Sequence, residues 1–296
     1  MWRQDELCFV QFIHPGGEHE PDSGGRKSWN KGPHKRKFVE NPGRCLRKGE
    51  KFEGPLAFWT EWEPESDVIR RIPAPVIDGP RFVYNPFYIL PHSYDGLQNT
   101  DPFTFGTFYY MICQQNNKKG PTQLRYLDRG SVILFGSSVS GTFVIDTVFV
   151  VDRWVDHNGD DYKRLLKDGV PPGVYWDVTL NAWYRGSPCG DDDCGPDGPR
   201  PPCRLYWGAT VDDPVDGMFS YFPCQPATLA PQGFARPAIS IPGITTDNLT
   251  QGKRLNRGLS RQAVSKHWID VRRQVESAGL WLGVFTDIPE RRGTST

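Results

Sequence analysis

Apolar residues in this chain fall in short, dense runs separated by Gly, Pro and polar turns, and only one stretch shows helical spacing. The runs Leu7–Ile13, Leu56–Trp62, Phe105–Gln114, Val132–Phe135, Phe143–Val151, Tyr175–Tyr184, Leu205–Thr210, Gly217–Phe222 and Leu280–Phe285 read as strands. Between Asn256 and Gly279, Val264, Trp268, Val271 and Val275 recur every three or four residues, which predicts one long amphipathic helix ended by the glycine. A short helix is expected over Tyr162–Asp168. Phe38–Lys51 reads as a connector, and the proline-punctuated segment 68–105 as an ordered loop or lid. The fold class is therefore α+β and β-dominated, with a single mixed or antiparallel sheet or barrel system and one long C-terminal helix. One domain over residues 1–296 is expected. The acidic, Pro/Gly-rich stretch 187–202 reads as a mobile insertion, and residues 290–296 as a frayed tail.

Two runs break their own pattern. Asp146 interrupts Phe143–Val151, an otherwise apolar run apart from one threonine, and a carboxylate in such a strand must be paired, protonated or functional. In Trp59-Thr60-Glu61-Trp62-Glu63, the two-residue period of a strand puts Trp59, Glu61 and Glu63 on one side and Trp62 on the other. A carboxyl held against an indole is desolvated, which suits it to general-acid work near neutrality.

Two loops add candidate chemistry. Directly after the first strand, His14, Glu18, His19 and Glu20 surround a Pro-Gly-Gly turn, an acid/base inventory at a strand end. The spacing is not that of a helical zinc motif. The following loop, residues 24–37, interleaves six cations, Arg36 and Lys37 among them, with Trp29, Asn30 and His34. Cations suit phosphate oxygens and an indole face suits a base, so this loop and the indoles of Trp59 and Trp62 are the candidate substrate-binding groups.

Totals narrow the classes. The 35 basic and 35 acidic residues balance, so the whole-molecule charge offers no attraction to nucleic acid or to an anionic membrane, and only local patches can. The seven cysteines are odd in number and match no paired metal-ligand spacing, and no membrane-spanning apolar run is present. A reducing, cytoplasmic setting without metal or cofactor is the simplest expectation. There is neither a P-loop nor a dinucleotide fingerprint.

The order Asp128-Arg129-Gly130 turn, apolar strand ending in Gly/Ser, then Phe143–Val151, resembles the small barrels of the PUA-like superfamily, including the EVE and ASCH groups. That resemblance implies handling of modified bases and carries no ligand residues with it. Three functions compete. The first is a hydrolase acting on nucleic acid or a nucleotide, cleaving an N-glycosidic bond by carboxylate acid/base chemistry with Asp146, Glu61, Glu63, His14, Glu18 and His19 as candidates. The second is a non-catalytic reader of modified bases. The third is a metal-dependent hydrolase of small molecules built on His14, Glu18 and His19. All six candidates are expected to converge on one pocket.

Overall fold

A computed structural model describes residues 4–14, 16–21, 35–89, 100–117, 119–166, 173–184, 202–247 and 252–293. Strand outweighs helix, 45% to 16%, so the chain is β-dominated, but two large sheets replace the expected single sheet or barrel. The strands in chain order are β1 (Cys8–Ile13), β2 (Lys37–Arg47), β3 (Glu50–Thr60), β4 (Ser66–Arg71), β5 (Phe82–Ile89), β6 (Tyr109–Tyr110), β7 (Asn116–Asn117), β8 (Gly120–Pro121), β9 (Val132–Val139), β10 (Thr142–His157), β11 (Cys203–Gly208), β12 (Phe222–Pro226), β13 (Gly252–Arg257), β14 (Trp281–Thr286) and β15 (Glu290–Arg292).

One sheet has the order β13-β1-β9-β10-β11-β6; the other runs β14-β12-β3-β2-β5-β15, with β4 beside β5 and β14 also paired to β2. The hairpin β2–β3 turns through Lys48 and Gly49, both at positive φ (48° and 88°), the backbone a tight two-residue hairpin requires. The expected connector is thus mostly strand. Its charges misled the pattern because the hairpin's far half is exposed, whereas Leu56–Thr60 is fully buried. Likewise β4 and β5 occupy part of the expected lid, and Glu290–Arg292 of the expected tail pairs with Phe87–Ile89. Tyr175–Tyr184, read as a strand, instead lies in the helical stretch 173–184, with Val174, Tyr175, Val178 and Leu180 buried.

Alternate residues of both sheets feed two apolar cores. Val10, Phe12, Ile133, Phe135, Phe149, Val39, Leu56, Phe58 and Phe222 line one. Phe9, Ile13, Val132, Leu134, Val148, Val150, Phe38, Ala57 and Trp59 line the other, which the C-terminal helix covers. That helix, Arg261–Ser277, begins later than its pattern suggested, because Gly252–Arg257 pairs antiparallel with β1. Ser260 caps it, its Oγ accepting from the Ala263 N–H at 3.1 Å, and Gly279 follows at φ 80°. Val264, Trp268, Val271 and Val275 are its buried stripe.

One local irregularity positions the site. In the β9–β10 ladder Ile145 pairs with Gly136 and Thr147 with Phe135, so Asp146 is the extra residue of a β-bulge. The bulge swaps the side of the strand: Phe143 and Ile145 before it share a core with Val148 and Val150 after it. Gly136 accommodates the bulge, for a Cβ there would lie 2.0 Å from the Val144 carbonyl oxygen.

Two outcomes follow from this architecture. Gly136→Ala should lower stability by about 1–3 kcal/mol through that overlap, read as a reduced urea midpoint, whereas Gly17→Ala, beside open space and outside the positive-φ region, should cost less. His157, 2% exposed at the end of β10, is held down to about 4 by burial, with Asp161 and Asp156 opposing. Its unfolded form takes up a proton near pH 6.5 that the folded form refuses, so stability should fall between pH 6.5 and 4 and be unaffected by this group above that window. Summed over the window the effect is at most roughly 3 kcal/mol, and His157→Gln should flatten that part of a stability-against-pH curve.

Candidate functional site

Four strands deliver charged side chains to one buried point. His14 follows the last residue of β1, Arg36 precedes the first of β2, Glu61 follows the last of β3, and Asp146 is the bulge of β10. Arg36 Nε donates to Asp146 Oδ2 at 2.7 Å and Nη2 lies 3.2 Å from Glu61 Oε2. Glu61 Oε2 also meets His14 Nδ1 at 2.7 Å. These side chains are 1%, 2%, 1% and 9% exposed for Arg36, Asp146, Glu61 and His14, so the ion pairs operate away from water, where they are strong. Burial alone would pull the Arg36 pKa down; Glu61 and Asp146 reverse that and hold it above the usual guanidinium value. The acid against an indole suggested by the sequence is, in the fold, an acid against a guanidinium.

A second guanidinium closes the site from the loop after β12. Arg236 Nη1 donates to Ser137 Oγ at 2.8 Å and lies 3.8 Å from Asp146 Oδ2, and Nη2 donates to the Gly16 carbonyl at 3.3 Å. Ser137 Oγ in turn donates to the His14 carbonyl at 3.0 Å, so Arg236 ties the backbone on both sides of the first turn. Its guanidinium sits over the Trp59 ring, 5.3 Å from the centroid. Burial lowers its pKa to about 10; Asp146 opposes that, and the like charge of Arg36 adds to it. Asp101 belongs to the outer electrostatics. Its carboxylate accepts from the backbone N–H groups of Met111, Ile112 and Cys113, yet burial, with Glu61's charge adding, pushes its pKa up to about 6.

Of the six acid/base candidates, the structure brings His14, Glu61 and Asp146 together. Glu63 is half-buried, close enough for its charge to act on Arg36 and Lys37. Glu18 turns instead to Arg81, accepting from the backbone N–H groups of Arg81 and Phe82 at 2.6 and 2.9 Å and from Arg81 Nε at 2.9 Å. His19 packs its ring near Tyr84, whose hydroxyl donates to the His19 carbonyl at 2.8 Å. The pair thus braces the start of β5, because the chain from Gly17 to His19 runs alongside Arg36: Arg36 N–H donates to Gly17, and His19 N–H to Arg36.

Among the substrate-binding candidates, Trp29, Asn30 and His34 lie outside the described residues. Arg36 and Lys37, expected at an exposed basic surface, are buried, 1% and 5% exposed, since a core strand, β2, begins here where a connector was expected. Lys37 Nζ donates to the Pro64 carbonyl and Ser66 Oγ, and burial lowers its pKa to about 7 against the pull of Glu65 and Glu63. Trp59 and Trp62 are also core residues, 3% and 0% exposed, as the large buried faces of β3 demand. The Trp59 indole N–H donates to the Phe234 carbonyl, and Trp62 packs edge-on against Phe105.

Arg236 was missed by sequence reasoning, although a signal exists: it is the only charged residue between 217 and 246. Among the described residues no group of three His, Cys, Asp or Glu side chains is placed to hold a metal ion, and no helix is long and apolar enough to cross a membrane. No family model, curated protein or solved structure matches the chain.

The ion-pair bridge has a measurable consequence. Arg36→Met should cost about 3–5 kcal/mol, because it leaves two carboxylates buried without their cation. Adding Glu61→Gln and Asp146→Asn to Arg36→Met should recover a substantial part of that loss. Chemical denaturation of the single and triple variants checks the non-additivity, and equal losses would show that packing around the Arg36 stem, rather than charge, is what matters.

Proposed function

We propose that the protein is a hydrolase acting on a base-bearing nucleotide or nucleic acid, with His14 as its acid/base group and N-glycosidic cleavage as the reaction. The observation that carries this reading is the 2.7 Å contact of His14 Nδ1 with Glu61 Oε2 in a side chain only 9% exposed. A carboxylate so placed keeps the proton on Nδ1, which makes Nε2 the nitrogen that takes a proton from water. Glu61 is itself held by Arg36, so the imidazole has a rigid support. Asp146, anchored at the bulge, supplies fixed negative charge of the kind that favours an oxocarbenium-like transition state.

The substrate class rests on the chain's topology at the site. Glu18 and Arg36 are bridge partners and Arg36 meets Glu61, so described residues on either side of the basic segment are tied to the cluster, while Trp29, Asn30 and His34 themselves lie outside the described residues. The likeness of residues 127–152 to PUA-like barrels points the same way, and handling of a modified base belongs to this proposal. Arg36 and Lys37 are engaged internally, so phosphate contacts fall to the residues before them.

Incubation with unmodified and modified DNA, RNA and nucleotides, followed by chromatography for released base, tests the reading. His14→Gln should lower kcat by about 100-fold or more while the thermal unfolding temperature stays near that of the parent. Tight binding without any release would make the protein a reader and not an enzyme, and retention of full activity by His14→Gln would place the chemistry elsewhere.

A further inference from the structure

Arg36 has a donor left over. Its Nε and Nη2, the two nitrogens along one edge of the guanidinium, are committed to Asp146 and Glu61. Nη1 is buried and has no hydrogen-bond partner among the described residues. Buried polar groups are nearly always matched, and an unmatched donor costs enough that an acceptor entering at this position would be favoured. The edge already used fixes the plane of the guanidinium, so Nη1 is aimed as rigidly as a group on a strand.

The surrounding charges select the kind of acceptor. Arg36 and Arg236 balance Glu61 and Asp146, all four side chains being at least nine-tenths buried, and Glu63 acts on Arg36 from nearby. An entering phosphate or carboxylate would meet a neutral cluster containing two fixed carboxylates and would give up its hydration for little return. A neutral carbonyl oxygen gains the hydrogen bond without that repulsion.

Resting on the hydrolytic reading of the same site, we infer that Arg36 Nη1 receives the carbonyl oxygen of an oxo-substituted base, so that the preferred substrates carry a uracil-like or hypoxanthine-like oxo edge. In the reaction His14 takes a proton from water, the water oxygen bonds to the anomeric carbon, and the electron pair of the carbon–nitrogen bond passes to the base. Negative charge grows on the base's carbonyl oxygen, where Nη1 opposes it, and the proton on His14 is then returned to the base nitrogen. Atoms balance as one water consumed, one free base and one hemiacetal hydroxyl formed.

Guanidinium-selective 15N NMR of the unmodified full chain tests this, with the Arg36 resonances assigned through bonds from the backbone and uracil, hypoxanthine, purine and inorganic phosphate added in turn. The two oxo bases should move the Arg36 Nη signals, and purine, which lacks the oxo group, should bind about tenfold more weakly than hypoxanthine. A response to phosphate with none to the oxo bases would overturn the inference, as would signals that no compound moves, which would mean that Nη1 is satisfied by water. Shifts with uracil or hypoxanthine but no base release from any substrate would sustain the carbonyl subsite and remove the hydrolytic reading. Base release with the Arg36 signals unmoved would do the reverse.

Discussion

The Arg36 guanidinium, buried between Asp146 and Glu61, is the contact on which the arrangement of this molecule turns. A lone arginine or carboxylate at 1–2% exposure is not tolerated, so the three side chains must arrive together or not at all. Each comes from a different strand terminus or bulge, and the two acids belong to different sheets. The electrostatic requirement therefore fixes how the end of β3, the start of β2 and the middle of β10 meet. His14 joins at the end of β1 through Glu61, which makes its imidazole part of the same rigid assembly.

The bulge at Asp146 allows this without sacrificing the core. On a regular strand Asp146 would put a carboxylate in line with Val144 and Val148, and Val150 would fall with them on the face opposite Phe143 and Ile145. The extra residue lets Asp146 leave the ladder's alternation, and Val148 and Val150 resume the core that Phe143 and Ile145 began. Gly136 is the counterpart on β9, where the backbones approach too closely for a side chain. Arg236 completes the assembly from the loop after β12, and its hold on Ser137 and Gly16 links the bulge region to the segment after His14.

This organisation bears on chemistry. The acids that looked like independent proton donors are held by arginine, and the indoles that looked like stacking platforms are buried in the core, which on the proposed reading leaves the imidazole that Glu61 holds as the acid/base group. Glu18 and His19, four and five residues from His14 and of matching chemistry, are spent on bracing β5. Proximity in sequence was a poor guide here because the chain from Gly17 to His19 pairs with Arg36 and Glu18 turns to Arg81.

What the sequence by itself determined is the set of elements whose pattern is local: the β-dominated class, most of the buried strands, the stripe and glycine stop of the C-terminal helix, and the oddity of an acid inside Phe143–Val151. Those follow from periodicities of two and three to four residues, which burial imposes on any fold. The hairpin Lys37–Thr60 escaped because its outer half is solvent-exposed and charged. Only the tertiary structure decided the rest. That Arg36 belongs to the core and not to a basic surface, that Asp146 is a bulge, and that Arg236, some 200 residues from Arg36, closes the same cluster are facts of partnership. A buried charge is stable only through partners, and partners drawn from four strands and a distant loop leave no periodicity in the chain for a local pattern to register.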